Sequence, residues 1–280
     1  MKSHKFLMSI YNLVSQIYNF IFGRLVMQKI NHVIFSLSLR AKGYNNYGSF
    51  SKTGEKNFIK SISNDLKLSF DIGANVGNYS VLLAEETNSD IIAFEPLEEA
   101  FKILQKNSGK FSDRIRTFNI ALGDKKLEKY INFSDEKSEK ATFIDEYEKL
   151  SFFETENKKK KLVKITTLDD FVVENSDIIK NDIDFIKIDT EGFELEVIKG
   201  SKKTIEQYQP KYIQIEFNIH QLFKNHTIYE FSKYLNNYQL FQILPFGDKL
   251  IKVIPEKAET NIFHLSNFVY IRRDISNKFI

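Results

Sequence analysis

At 280 residues the chain is long enough for one large domain or two ordinary ones, and its 42% hydrophobic content suffices for a sizeable core. Forty basic against 37 acidic side chains leave a formal charge of +3, too balanced for the basic stripe of a dedicated nucleic-acid binder, so nucleic acid is set aside as a partner. The absence of cysteine excludes disulfides, thiolate zinc sites and cysteine nucleophiles, and is compatible with a cytoplasmic location.

In the first forty residues Phe6, Ile10, Val14, Ile17, Ile21 and Leu25 recur at spacings of three and four, predicting an amphipathic helix with one apolar stripe. Asn12, Ser15, Gln16, Asn19 and Arg24 interrupt every window long enough to cross a bilayer, and no small-residue cleavage site follows, which argues against a transmembrane span or a secretory signal. The expected partner of the stripe is the body of the domain; a membrane surface or a dimer face are the alternatives. From Leu66 onward short apolar runs alternate with helical patterns, the rhythm of an open sheet with helices on both faces. Strands are predicted over 66–70, 90–94 (DIIAF), 115–122, 183–188 (IDFIKI) and 210–217 (PKYIQIEF). Helices are expected to begin within the GANVG turn and to cover 97–106 and 193–208, with Val163 to Phe171 linking into a shorter one. Segments 229–235, 238–244, 250–254 and 267–271 add a helix and antiparallel strands that finish the sheet. Between Gly123 and Lys161 the rhythm gives way to a charged stretch ending in four lysines, read as a hairpin or lid insertion with a solvated edge. The chain thus divides into a helical extension over 1–50 and a sheet domain over 51–280, interrupted by an insertion at about 124–161.

In an open parallel sheet, ligands collect beyond the carboxyl ends of the strands, which directs Asp71, Glu95, Asn119, Asp189 and Glu216 toward one crevice. In FDIGANVGNYS (70–80), Gly73 and Gly77 permit a turn of close backbone approach, and the helix behind it offers N–H groups to a polar ligand. A dinucleotide turn would need G-x-G-x-x-G, but Asn75 and Asn78 stand where the second and third glycines belong. A ligand without a diphosphate has less need of that glycine, and one with a free ammonium gains from a carboxylate at Asp71. S-adenosylmethionine is such a ligand. Its amino-acid end would lie over Gly73, Ala74, Asn75, Gly77 and Asn78, and its ribose hydroxyls at Glu95 and Pro96, where an acidic partner is expected in nucleotide folds.

FDIGANVGNYS, IIAFEP, FNIALGD, TTLDDF, IDFIKIDTEGFELEVIKG and YIQIEFN together resemble the FkbM family of S-adenosylmethionine-dependent methyltransferases, from about Gly54 to Asn218. The resemblance implies a Rossmann-like class I methyltransferase fold: an α/β, mostly parallel doubly wound sheet with an antiparallel C-terminal part, here carrying an N-terminal helical extension. It implies O-methylation of a hydroxyl on a carbohydrate, polysaccharide, glycolipid or related natural product. Asn119 and Ala121 fall where a third-strand turn would edge the adenine ring, with Asn119 satisfying only local backbone as the alternative; the resemblance further implies that Glu55 covers the cofactor.

Methyl transfer needs an aligned acceptor and a group to accept its proton, for which Asp189, Glu216, Glu191 and His220 are the candidates. Asp189 either orients or deprotonates the acceptor, or caps the next helix and holds Lys187, which points to the same side of the strand. Glu191 can instead complement a helix dipole, and a lone loop histidine such as His220 is often an ordinary surface residue. Two carboxylates, Asp189 and Glu191, without a fixed third ligand do not make a metal site, and none is expected. Phe143, Tyr147, Phe152, Phe153 and Phe223 could stack on a sugar, with core packing as the alternative. Competing functions are an inactive methyltransferase-like scaffold, an NAD-dependent oxidoreductase, and a nucleic-acid or protein methyltransferase. The DTEG turn lacks the [DN]-P-P-[YFW] pattern of base N-methylation. Oligomeric state is not legible.

Overall fold

The computed structural model describes residues 2–133, 141–144, 159–247 and 250–279, with residues 2–7 described in their backbone alone. Two helices, α1 (Lys2–Phe22) and α2 (Gln28–Ala41), and two short ones, α3 (Phe50–Thr53) and α4 (Glu55–Ile62), precede the sheet. The first half of the body runs β1 (Leu68–Ile72), α5 (Asn78–Glu86), β2 (Asp90–Phe94), α6 (Glu98–Ser108) and β3 (Ile115–Phe118). A smaller sheet follows from β4 (Ala121–Leu122), β5 (Leu127–Phe133) and β6 (Lys159–Thr166), leading into α7 (Leu168–Glu174). The chain then returns through β7 (Ile183–Ile188), α8 (Glu194–Lys199), α9 (Lys202–Tyr208), β8 (Tyr212–Phe217), α10 (His220–Lys224) and α11 (Ile228–Tyr234). It closes with β9 (Tyr238–Ile243), β10 (Leu250–Lys252) and β11 (Ser266–Arg272).

The main sheet has the order β10-β9-β11-β8-β7-β1-β2-β3. Strands β8, β7, β1, β2 and β3 are parallel, while β11 runs antiparallel to both β8 and β9. This is the doubly wound sheet with an antiparallel C-terminal part that the motifs imply. The winding reverses between β1 and β7, and a crevice opens there beyond the strand ends. Both strands are buried along their whole length, so their sequences read as apolar runs and not as a strict alternation.

Alternation nevertheless decides which face each side chain joins. Leu68, Phe70 and Ile72 pack with Ile186, Ile188 and the helices α7, α8 and α11. Phe185, Tyr212 and Val269 pack on the other face, with Phe58 and Ile62 of α4 and Leu82 and Leu83 of α5. The residues of opposite parity to the first set, Asp71, Lys187, Gln214 and Glu216, therefore fall on the α4 and α5 face. Register aligns them: Asp71 sits opposite Lys187, Lys187 opposite Gln214, and Glu216 opposite Asn267.

Several boundaries differ from expectation. The first strand begins two residues later and runs to Ile72, which puts Asp71 inside it. The predicted strand over 115–122 divides, because after Phe118 the chain leaves the main sheet and β4 pairs with β6. The helix predicted over 193–208 breaks at Gly200, and Asp169 of α7 caps the second piece by accepting the Lys203 and Thr204 N–H groups at 3.0 and 2.7 Å. Within the insertion, β5 and β6 form an antiparallel hairpin from Leu127 opposite Ile165 to Phe133 opposite Lys159.

The largest correction concerns the extension. Its periodicity is helical, but Ile10, Val14, Ile17, Ile21 and Leu25 are exposed and do not pack across the body; Phe6 lies outside the described side chains. Contact with the core begins only at Leu39 and Tyr44.

Candidate functional site

A cleft of about 490 Å³ lies over the carboxyl ends of β1, β2, β7 and β8, a size suited to a cofactor with part of its acceptor. Its first half is built by the turn after β1. Gly73 has φ +84° and sits so close to β7 that a Cβ there would lie 1.8 Å from the Asp189 carbonyl oxygen. No other residue fits without moving one of the two strands. Gly77, also left-handed, packs against Leu104 and shapes the turn from behind, outside the cleft wall.

Every backbone N–H from Gly73 to Gly77 is engaged inside the protein. Gly73 and Ala74 donate to the Phe94 carbonyl at 3.0 and 2.9 Å, and Gly77 donates to that of Ala74 at 2.8 Å. Asn75 donates to Glu95 Oε2 at 2.9 Å, and Val76 donates to Asn75 Oδ1 at 2.6 Å. The turn's own N–H groups are thus taken up within the protein. What the turn presents is acceptors. Asp71 is buried and accepts from Ser80 Oγ at 2.5 Å; burial pushes its carboxyl up to about 6 against the pull of Ser80 and Lys187. Glu95, with Oε1 accepting from the Leu97 N–H at 2.8 Å, is pushed by burial up to about 7.

The second half of the cleft is a crowd of charge. Lys187, buried, donates to Asp189 Oδ2 at 2.8 Å and lies 5.1 Å from the Tyr79 ring centre. Burial would lower its proton affinity, but the carboxylates of Asp189, Glu55 and Glu216 outweigh burial and hold the ammonium above its ordinary range. Behind it runs an uninterrupted chain of hydrogen bonds. Thr53 Oγ1 donates to Glu55 at 2.7 Å, and Gln214 Nε2 donates to Glu55 at 2.9 Å and to Asn267 Oδ1 at 3.0 Å. Tyr79 OH donates to Gln214 Oε1 at 2.7 Å. Glu55 is buried in this network, and burial raises its carboxyl.

Asp189, Glu191 and Glu216 each offer a carboxylate oxygen, all within 4.8 Å of one another, which would suit a divalent cation as well as a hydroxyl-bearing acceptor. Burial, reinforced by the charges of Asp189 and Glu191, raises Glu216 well above the usual carboxylate range. Asn218 Nδ2 bridges Glu191 and Glu216 at 3.0 and 3.1 Å. Glu191 adopts a left-handed backbone, φ +54°, a conformation that costs a non-glycine residue on the order of 1 kcal/mol or more. Its surroundings enforce it. Thr142 Oγ1 donates to the Glu191 carbonyl at 2.6 Å, and the Glu194 carboxylate accepts the N–H groups of Thr190 and Gly192 at 2.8 and 3.1 Å. Gln221 Nε2 holds the other oxygen of Glu194, which burial pushes up to about 7.

Of the residues expected in the site, Asp71, Gly73, Ala74, Asn75, Asn78, Glu95, Pro96, Ala121, Glu55, Lys187, Asp189, Glu191 and Glu216 line this cleft. Asn119 does not; its amide turns to the carbonyls of Glu95 and Pro96 at 2.8 and 3.1 Å, which ties down the end of β2. His220 is buried behind the wall, its Nδ1 2.8 Å from Glu191 Oε2. Burial lowers its proton affinity, but the Glu191 hydrogen bond and charge outweigh it and raise His220 above its ordinary value. Among the aromatic candidates, Phe143 lines the cleft yet packs on Phe193 at 4.7 Å; Phe223 stands away from it. Tyr147, Phe152 and Phe153, like Lys158, lie outside the described residues. Gln214, Glu194, Asn267 and Tyr47 were not expected in the site. The ring of Tyr47 is 60% exposed at the cleft's lip, and its phenol is raised by burial and by the charges of Glu216 and Glu191. For Gln214 a signal existed, since in YIQIEF it alternates with Glu216 against the apolar residues.

Residues 71–241 match a family model described as the Methyltransferase FkbM domain. Among curated proteins, AMB antimetabolite synthetase AmbE of Pseudomonas aeruginosa is 31% identical over 64 residues, a match that covers 22% of this chain and only 3% of that protein. Among solved structures, Methyltransferase FkbM from Methylobacillus flagellatus KT superposes with a TM-score of 0.43 at 14% identity, covering 87% of this chain and 60% of that one. The O-methyltransferase from Bacillus cereus in complex with SAH gives a TM-score of 0.44 at 10% identity, over 93% of this chain and 97% of that one.

Proposed function

The chain belongs to the methyltransferase FkbM family, and from that premise we propose that it transfers a methyl group from S-adenosylmethionine to a hydroxyl of a carbohydrate, glycolipid or related natural product. The donor set fits this cofactor. Asp71 and Glu95 present carboxylates beside a turn whose N–H groups are already taken, which suits an ammonium and ribose hydroxyls better than a phosphate. When bound, the cofactor supplies a methyl group already activated on a sulfonium.

The observation that carries the acceptor class is the group of Asp189, Glu191 and Glu216 around the buried ammonium of Lys187. Three carboxylates accept hydrogen bonds from a polyhydroxylated acceptor and would repel a phosphodiester backbone, which favours a saccharide. Glu216, whose carboxyl is raised by burial and by its like-charged neighbours, takes the hydroxyl proton in its ionised form as the new carbon–oxygen bond forms. Lys187 holds Asp189 in place and offsets part of the negative charge. Tyr47 offers an aromatic face at the cleft's lip for a sugar ring.

The test is transfer of labelled methyl from S-adenosylmethionine to a panel of mono-, oligosaccharides and glycolipids. Glu216→Gln is expected to lower kcat on the order of a hundredfold or more and to leave cofactor affinity, read by calorimetry, unchanged. A preparation that binds the cofactor and methylates none of these acceptors would refute the reading.

A further inference from the structure

The near-neutral charge of the chain conceals a division. Residues 1–54 carry seven basic side chains, among them Arg24, Lys29, Arg40 and Lys42, and no Asp or Glu. The remainder holds the other 33 of the 40 basic residues and all 37 acidic ones, a formal charge of −4.

The positive part also carries the uncovered apolar surface. On α1 the uncharged polar residues Ser9, Asn12, Gln16 and Asn19 form one stripe, while Ile10, Val14, Ile17 and Ile21 stand exposed on the far side. At the bend before α2, Leu25 and Val26 are 90% and 78% exposed. On α2 the exposed stripe is Ile30, Val33, Ile34 and Leu37, flanked by Lys29 and Arg40. The two helices are held together by Tyr18, whose hydroxyl donates to Asn31 at 2.9 Å, and by Asn31, whose amide donates to the Phe22 carbonyl at 2.8 Å. No described helix is long and apolar enough to cross a membrane.

We propose that this extension docks flat on an anionic lipid bilayer, with its isoleucine, leucine and valine side chains at the boundary between headgroups and acyl chains and its basic groups among the lipid phosphates. Charge selects this occupant. A symmetric pairing of the face with a second copy would bring together two segments that each carry basic residues and no carboxylate. A negatively charged surface neutralises them, and apolar area and cationic charge then act together, as in interfacial helices.

Flotation of the full chain with vesicles tests this, using phosphatidylcholine alone and an equimolar mixture with phosphatidylglycerol. Expected is at least ~tenfold more protein floating with the anionic vesicles, weakened by high salt. The variant Val33→Glu with Leu37→Glu should lose ~tenfold or more of that binding, while its affinity for S-adenosylmethionine and its circular dichroism stay those of the parent. Equal flotation with both vesicles, or none with either, overturns the proposal. Sedimentation showing a stable dimer without vesicle binding overturns it too, and assigns the face to a second copy. Cofactor affinity is read separately, so failure at the membrane and failure in the cleft are distinguishable.

Discussion

The two halves of the cleft use carboxylates in opposite ways. Beside β1 and β2, Asp71 and Glu95 are each tied to donors close in sequence or in the adjoining turn. Beside β7 and β8, Asp189, Glu191 and Glu216 crowd together around one ammonium, and their geometry depends on a left-handed residue braced by Glu194, Thr142 and Asn218. The first half is a rigid frame in which hydrogen bonds fix acceptors for a ligand. The second is electrostatically loaded, so proton affinities there respond to one another. On the proposed reading, recognition falls where local hydrogen bonds constrain the backbone, and proton transfer where charges are least compensated.

Gly73→Ala should break the frame most severely. The new Cβ must displace the Asp189 carbonyl, so cofactor affinity is expected to fall by more than about a hundredfold, roughly 2.7 kcal/mol, with a lowered melting temperature in calorimetry.

Glu95→Gln sharpens the contrast through pH. The carboxyl is raised from its ordinary 4.5 to about 7 by burial, and on the proposed reading its ionised form accepts the cofactor's ribose hydroxyls. Cofactor affinity of the parent should therefore rise as pH increases through about 7. Stability runs the other way: the folded chain retains a proton that the unfolded chain releases, so this group's contribution is present below 4.5 and is lost by about 7. The glutamine variant should bind roughly tenfold more weakly at alkaline pH and show no step near neutrality. A step that survives would assign it to another group.

The smallest effect is expected at His220, which lies behind the acceptor half and meets it through Glu191 and Asn218. His220→Asn should lower kcat a few-fold with little change in KM. Because the pair raises the histidine above 6.5, its stabilisation is present at lower pH and fades as pH rises through the shifted value, and thermal denaturation of the variant against pH should follow that sign.

Legibility in the sequence follows the same division. The turn from Asp71 to Asn78 and its link to Glu95 rest on contacts within about one helix and one strand, and local motifs carry them. The i, i+2 relation of Lys187 and Asp189 was readable from the pleat alone. Gln214 meets Glu55 across 159 residues, and Asn267 meets Gln214 across 53; no local pattern encodes such pairings. For Asn119 the local-backbone alternative is the one found, and the apolar run over 115–122 does not reveal that β4 joins a different sheet. The extension teaches a related lesson, since periodicity defines a face and leaves its partner open.

The cross-strand row of Asp71, Lys187 and Gln214 also bears on how such a protein can change over generations. Because side chains alternate, inserting or deleting a single residue in β7 would carry Lys187 and Asp189 through the sheet to the apolar face, stranding an ammonium among phenylalanines. Single-residue length changes in these strands are therefore closed to drift, whereas exchanges at every second position and length changes in the β5–β6 hairpin remain open. New acceptor preferences in such a lineage should accumulate by substitution along the ladder and by growth of the hairpin, with strand lengths held constant.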